Sequence, residues 1–222
     1  MHSLKKKLIR LGNQKPSLRK HLRPVLDKIA GSLSLEAFKQ KTEGEPHWEV
    51  RRLAKEVFPL LGIGSEAAVY EVSSDKVLKV SDDPKNLRAE FFTFSNPKYD
   101  QVTPDAYDHH DKWGWIVVER VKPFKSGDWD SLLQHFPSFV EFKEKKGEDP
   151  SVDMVWTFND LSVGGKQAEW VYGLQEKEKN FFLKIKSLHE DLNLDVADIR
   201  PANFGIDNKG NVVLLDILTS YV

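Results

Sequence analysis

At 222 residues, with 40% hydrophobic residues and 11% aromatics, the chain can bury one two-lobed core or two small ones, and its composition excludes a disordered polymer. Zero cysteines exclude disulfides, thiolate zinc sites and cysteine nucleophiles. No apolar run approaches the ~18 residues of a membrane span, and Met1-His2-Ser3-Leu4-Lys5-Lys6-Lys7 lacks the apolar stretch of a secretory signal, so a cytoplasmic setting is expected.

The net charge of −1 hides an asymmetry. Residues 1–30 carry nine Lys/Arg against one acid, Asp27, so this stretch is at +8 and everything after it at −9. Leu4, Leu8 and Leu11 fall on one helical face, and Leu18, Leu22, Leu26 and Ile29 on another. Gly12 to Ser17 breaks the pattern, Ser17 is placed as an N-cap, and Pro24 opens a further turn or kinks the second helix. Two short basic amphipathic helices are expected, within an N-terminal arm and linker spanning residues 1–50. Their leucines can pack on the body or on a protein partner. Alternatively, their lysines and arginines can meet the phosphates of nucleic acid or an anionic membrane surface. The run from Arg10 to Leu26 also resembles the leucine- and arginine-rich openings of some tailed-phage proteins, which would imply a phage source and the host cytoplasm as its compartment.

Gly31 to Pro46 reads as a linker with one turn of helix over Leu35–Gln40, and Glu49 to Phe58 as a helix. Leu61 to Val72 is a strand–turn–strand pattern in which Gly62 and Gly64 allow a ligand to approach the backbone closely. It does not sit between a strand and a helix, so it is no dinucleotide-binding fingerprint. Ser73-Ser74-Asp75 makes a turn into the strand Lys76–Val80. There, period-2 alternation puts Lys79 on the side of Val77, an inward position that needs a partner. The next helix carries Leu87, Phe91 and Phe94, and offers Glu90 as that partner; the plainer alternative is a solvated lysine and a solvated glutamate. Trp115 to Val121 is a buried strand stopped by Pro123. One helix is expected over Asp128–Phe142, a charged run over Glu141–Asp149 and a loop at Gly164-Gly165. A long helix follows from Glu169 to His189, with Phe181, Phe182, Ile185 and Leu188 on its apolar side and His189 near its C-terminal dipole end.

The end of the chain concentrates the chemistry. Asp198-Ile199-Arg200-Pro201-Ala202-Asn203 is followed by the aliphatic strand Val212–Leu215 and Asp216. An acid, an amide five residues on and a second acid thirteen beyond that supply one carboxylate for an acceptor hydroxyl and hard oxygens for Mg²⁺.

Taken in order, these motifs resemble the protein-kinase-like superfamily, which includes protein kinases and the smaller aminoglycoside- and choline-type phosphotransferases. Asp198 to Asn203 is similar to the catalytic loop Asp-x-(Lys/Arg)-Pro-x-Asn, and Val213-Leu214-Leu215-Asp216 to the strand that delivers the metal-binding Asp. The resemblance covers roughly residues 58–218. It implies an α+β, two-lobed protein-kinase-like fold with a β-rich N-lobe and hinge (51–124), a reduced helical C-lobe (125–222) and the N-terminal helical arm. It further implies ATP and Mg²⁺ as cofactors. Gly62 and Gly64 would lie over the triphosphate. Lys79, held by Glu90, would neutralise the phosphates, and Glu119 and Val121 would meet the adenine edge beside Val69 and Val118. Asp198 would serve the acceptor hydroxyl, Arg200 the transferring phosphoryl group, and Asn203 with Asp216 the metal. The implied activity is transfer of the ATP γ-phosphate to a hydroxyl, with Ser/Thr of a protein substrate slightly ahead of a small molecule. A catalytically weak or inactive nucleotide-binding scaffold is the alternative.

The departures are specific. Val196-Ala197 replaces the usual His-Arg, which removes the arginine that docks a phosphorylated activation loop. Asp216-Ile217-Leu218 replaces Asp-Phe-Gly, and Ala67 stands for the third glycine. Only six residues follow Asp216, so no activation segment or later peptide-docking helices are expected in this chain.

Overall fold

The computed structural model describes residues 2–18, 22, 35–64, 67–151, 154, 166–192 and 200–215. The fold is α+β, with two antiparallel sheets and seven α-helices among the described residues. The chain divides into two compact units, Met1–Phe91 with Ala106–Arg120, and Phe92–Asp105 with Val121–Val222.

The first unit is built on a five-stranded sheet in the order β1-β2-β3-β5-β4. Its strands are β1 (Leu60–Ile63), β2 (Ala67–Glu71), β3 (Lys76–Ser81), β4 (Ala106–His109) and β5 (Trp115–Glu119). Alternation sorts the two faces. Ala68, Tyr70, Leu78, Val80, Trp115 and Val117 enter one core with Phe38, Val50, Ala54 and Phe58. Those last four come from the helical segments just before the sheet, α2 (Leu35–Thr42) and α3 (His47–Val57), together with the residue that ends α3. The expected linker is therefore structural. Its helix runs two turns, and Phe38 is 0% exposed, edge-on to Phe58 at 5.1 Å between ring centroids.

The end of α2 is tied down by side chains distant in sequence. Trp115 Nε1 donates to Thr42 Oγ1 at 3.0 Å. His110 accepts the Gly114 N–H on Nδ1 at 3.1 Å, so its Nε2 carries the proton it gives to the Thr42 carbonyl at 2.5 Å. Helix α1 (His2–Gln14) passes straight through Gly12, where a break was expected, and packs on α3 with Ile9 2% exposed. The second expected arm helix lies largely outside the described residues.

The other sheet face carries Val69, Val77, Lys79, Ile116 and Val118. Helix α4 (Pro84–Phe94) supplies Glu90 to Lys79 on this face. Its start is set by the Pro84 ring and by Asp83, whose carboxylate accepts the Lys85 N–H at 2.9 Å. The turn before β3 forms at Ser73–Asp75, with Ser73 Oγ donating to Asp75 at 2.7 Å.

In the second unit, β6 (Lys122–Pro123), β7 (Phe204–Ile206) and β8 (Val212–Leu214) make a small sheet. Lys122-Pro123 thus begins an edge strand, which tolerates the missing proline N–H, instead of only ending β5. β6 and β7 approach so closely that a Cβ at Gly205 would come within 2.5 Å of Val121 Cγ1 and 2.7 Å of the Lys122 carbonyl oxygen, which requires glycine there.

The single helix expected over 128–142 is two: α5 (Trp129–Leu133), capped by Asp128, and α6 (Pro137–Lys145). Pro137 pushes Phe136 out of helical geometry (φ −129°, ψ 55°) and becomes the first residue of α6. The long helix expected from Glu169 is likewise divided into a 3₁₀ stretch, Lys166–Gly173, and α7 (Glu176–Leu192). Phe181, Phe182, Ile185 and Leu188 are buried on α7 and His189 lies in its last turn, as the periodicity implies. Phe136, Phe139, Trp170, Phe181 and Phe182 form a continuous aromatic core, with neighbouring centroids 4.8–5.5 Å apart. No helix among the described residues is long and apolar enough to cross a membrane.

Candidate functional site

In the first unit the polar centre is Lys79. It stands opposite Val69 on β2 and Ile116 on β5, on a face it shares with Val77 and Val118. Its ammonium meets Glu90 Oε1 at 2.5 Å, with the lysine side chain 13% exposed and the glutamate 2%. Glu90 belongs to the same helical stripe as Leu87 and Phe94, which are 1% and 4% exposed. An acid in an apolar stripe is held there by the charge it faces.

The β1–β2 hairpin continues this face. Gly62 pairs with Val69, and the Gly64 N–H donates to the Ala67 carbonyl at 2.8 Å. A Cβ at Gly62 would meet nothing within 4 Å, and one at Gly64 only the Ala67 oxygen at 3.6 Å. Neither glycine is demanded by internal packing, and the space beside their backbone is open. The exit of β5 is pinned by Arg120, whose N–H donates to the Asp75 carbonyl at 2.8 Å and whose guanidinium pairs with Glu71 at 2.5 Å. Glu119, at the end of β5, is 4% exposed and stands in register with Lys76. The Arg120–Glu71 pair is absent from the sequence reading, because nothing local connects residues 49 apart.

In the second unit, Arg200 is extended (φ −143°, ψ 156°) because Pro201 follows it, and Pro201–Asn203 closes a 3₁₀ turn. That turn brings residues three apart together. The Asn203 N–H donates to the Arg200 carbonyl at 2.9 Å, and Arg200 Nε donates to Asn203 Oδ1 at 3.3 Å. Asn203 is 8% exposed and Arg200 is exposed. The β7–β8 hairpin then explains the thirteen-residue gap. Phe204 pairs with Leu214, and the Leu215 N–H donates to the Asn203 carbonyl at 2.7 Å, so the residue before Asp216 is bonded to Asn203. The hairpin's far end is closed by Asp207, whose carboxylate accepts the N–H groups of Lys209 and Asn211 at 2.9 and 2.7 Å.

Asp198 and Asp216 lie outside the described residues. Of the remaining expected site residues, Lys79 is brought together with Glu90 and Val69, and Arg200 with Asn203; Gly62 lies in β1 and Gly64 just after it. Val121 packs against Gly205 in the second unit, whereas Glu119 belongs to the first. Among the described residues, no three His, Cys, Asp or Glu side chains form a group that would hold a metal ion. The expected metal set depends instead on the Asn203 amide and on Asp216. The chain matches no family model and no curated protein sequence.

Proposed function

We propose that the chain is an ATP- and Mg²⁺-dependent phosphotransferase of the protein-kinase-like superfamily that moves the γ-phosphate to a hydroxyl acceptor, a protein Ser/Thr ahead of a small molecule. The observation that carries this reading is the buried Lys79–Glu90 pair on a strand and the following helix. It lies on the sheet face away from the main core, beside a glycine hairpin with open space along its backbone.

The residues present fit the cofactor. Lys79 offers an ammonium held in one place by Glu90, and the hairpin backbone can approach a phosphate chain without a Cβ in the way. Bound Mg²⁺·ATP supplies the transferable phosphoryl group and the cation that offsets its charge. Asp198 orients or deprotonates the acceptor hydroxyl, Arg200 offers positive charge to the transferring group, and Asn203 and Asp216 supply oxygen ligands. Incubation of wild type with γ-labelled ATP and a lysate should label an acceptor, and Asp198→Ala should abolish labelling while leaving nucleotide binding nearly intact. Equal labelling by both proteins would sink the proposal.

One observation favours a second reading, a nucleotide-binding scaffold with little or no transfer. Asn203 Oδ1, an atom assigned to the metal, accepts a hydrogen bond from Arg200. In that case ATP and Mg²⁺ raise the melting temperature, yet no acceptor is labelled at any enzyme concentration.

A further inference from the structure

The second unit contains a cavity of about 70 Å³ that none of the expected nucleotide-site residues line. It is bordered by α7, the turn between α5 and α6, the β7–β8 turn and Gln101–Val102. Since one water needs ~10–15 Å³ of such space, the cavity has room for a tetrahedral oxyanion. Two lysines and a histidine line it against one acid. Lys177, Asn180 and Lys184 follow one another at i, i+3 and i+7 along one stripe of α7, and His135 joins them from the α5–α6 turn.

The one acid in the lining is already committed. Glu178 is 3% exposed and accepts the Ser138 and Phe139 N–H groups at 3.0 and 2.9 Å, capping α6. The two lysines donate to neutral carbonyls, Lys177 to Gly210 at 3.5 Å and Lys184 to Asp100, so these contacts leave their positive charge in place. Burial, and then the charge of Lys177, hold the His135 imidazole below its ordinary value of 6.5. Two lysine charges against the single Glu178 carboxylate leave the lining net positive.

We propose that this cavity binds a phosphate group, as the free ion or as a monoester, through Lys177, Lys184 and His135. Each would give a charge-assisted hydrogen bond to a phosphate oxygen. The Asn211 amide already donates to Asp207 at 2.9 Å and is no main anchor. The inference is independent of the nucleotide reading, because the two sets of residues are disjoint.

The test is calorimetric titration of the full chain with inorganic phosphate and, separately, with O-phospho-L-serine, at constant ionic strength set with chloride. Saturable binding is expected, weakened about tenfold or more by Lys177→Gln or Lys184→Gln, the loss of one charge-assisted contact. It should be unchanged in Lys55→Gln, an exposed lysine outside both sets of residues. Tighter binding of phosphoserine would identify a phosphorylated side chain as the source, and tighter binding of inorganic phosphate the free ion. In wild type, the His135 imidazole followed by NMR should titrate at higher pH in phosphate than in chloride, a readout that needs no variant. No saturable binding, binding that survives both lysine substitutions, binding lost in Lys55→Gln, or an unmoved His135 titration would each overturn the proposal.

Discussion

At Lys79 and Glu90 the energetics of a buried pair set the behaviour of the site. The carboxylate is 2% exposed, so removing the lysine's charge strands the more deeply buried partner. Lys79→Met is therefore expected to lower stability by about 3 kcal/mol, while Lys79→Met/Glu90→Leu recovers much of that loss, because two apolar side chains replace two desolvated charges. Urea unfolding of the single and double variants measures the cycle, and additive losses would show that the pair is not a unit. Glu178 works differently. It has two backbone donors in place of a lysine and holds the start of α6 on α7. Glu178→Ala should cost about 1–3 kcal/mol, and Glu178→Gln less, because the amide keeps one acceptor.

Among the elements, α2 and α3 close the sheet, and Phe38 is their anchor. It is fully buried against Phe58 and Trp115, with centroids 5.1 and 6.2 Å away. Phe38→Ala is expected to cost about 3–5 kcal/mol in denaturant unfolding. If residues 35–46 were only a linker, the loss would be near zero. In the α5–α6 turn, the depressed His135 gives a signed pH dependence. A folded-state value below the unfolded one means the stability it contributes is present above pH 6.5 and is lost as pH falls through the folded value. The melting temperature of wild type should therefore fall faster than that of His135→Gln between pH 6.5 and 5. The carboxylates of Glu49, Asp75, Glu141, Glu176 and Asp191 are held below their usual range by neighbouring Arg, Ser or Lys donors, and their contributions are lost at lower pH. Comparing the two proteins cancels them.

For the whole molecule, the proposed function predicts that ATP with Mg²⁺ raises the melting temperature, and that Asp216→Ala removes the dependence on the metal. No shift with nucleotide or metal would count against both the catalytic and the scaffold readings. The basic stretch has a separate test. Helix α1 packs on α3 with Ile9 2% exposed, so deleting residues 1–14 should reduce stability to a similar extent at low and high salt. A loss of nucleic-acid affinity that steepens at low salt would instead assign its lysines to phosphate contacts.

Much of this protein is written in short stretches of its chain. Alternation in Lys76–Val80 puts Lys79 on the face of Val77, Pro201 sets the turn from Arg200 to Asn203, and the apolar stripe of α7 is plain in its 3.6-residue period. These depend on neighbours within a few residues, where backbone geometry dictates which side chains share a face. The tie of Thr42 to Trp115 spans 73 positions, and that of His110 to Thr42 spans 68. Pairs so distant leave no periodic trace, so the docking of α2 appeared only in the folded chain. The helix breaks at Phe136 and Gly173 belong to a middle case. Pro137 is visible in the sequence, but the packing of Phe136 and Phe139 against α7 decides how the two short helices are used. The phosphate-sized cavity is wholly tertiary. Its lysines lie on α7, and the α5–α6 turn, the β7–β8 turn and the Gln101–Val102 segment, all distant in sequence, border the space with them.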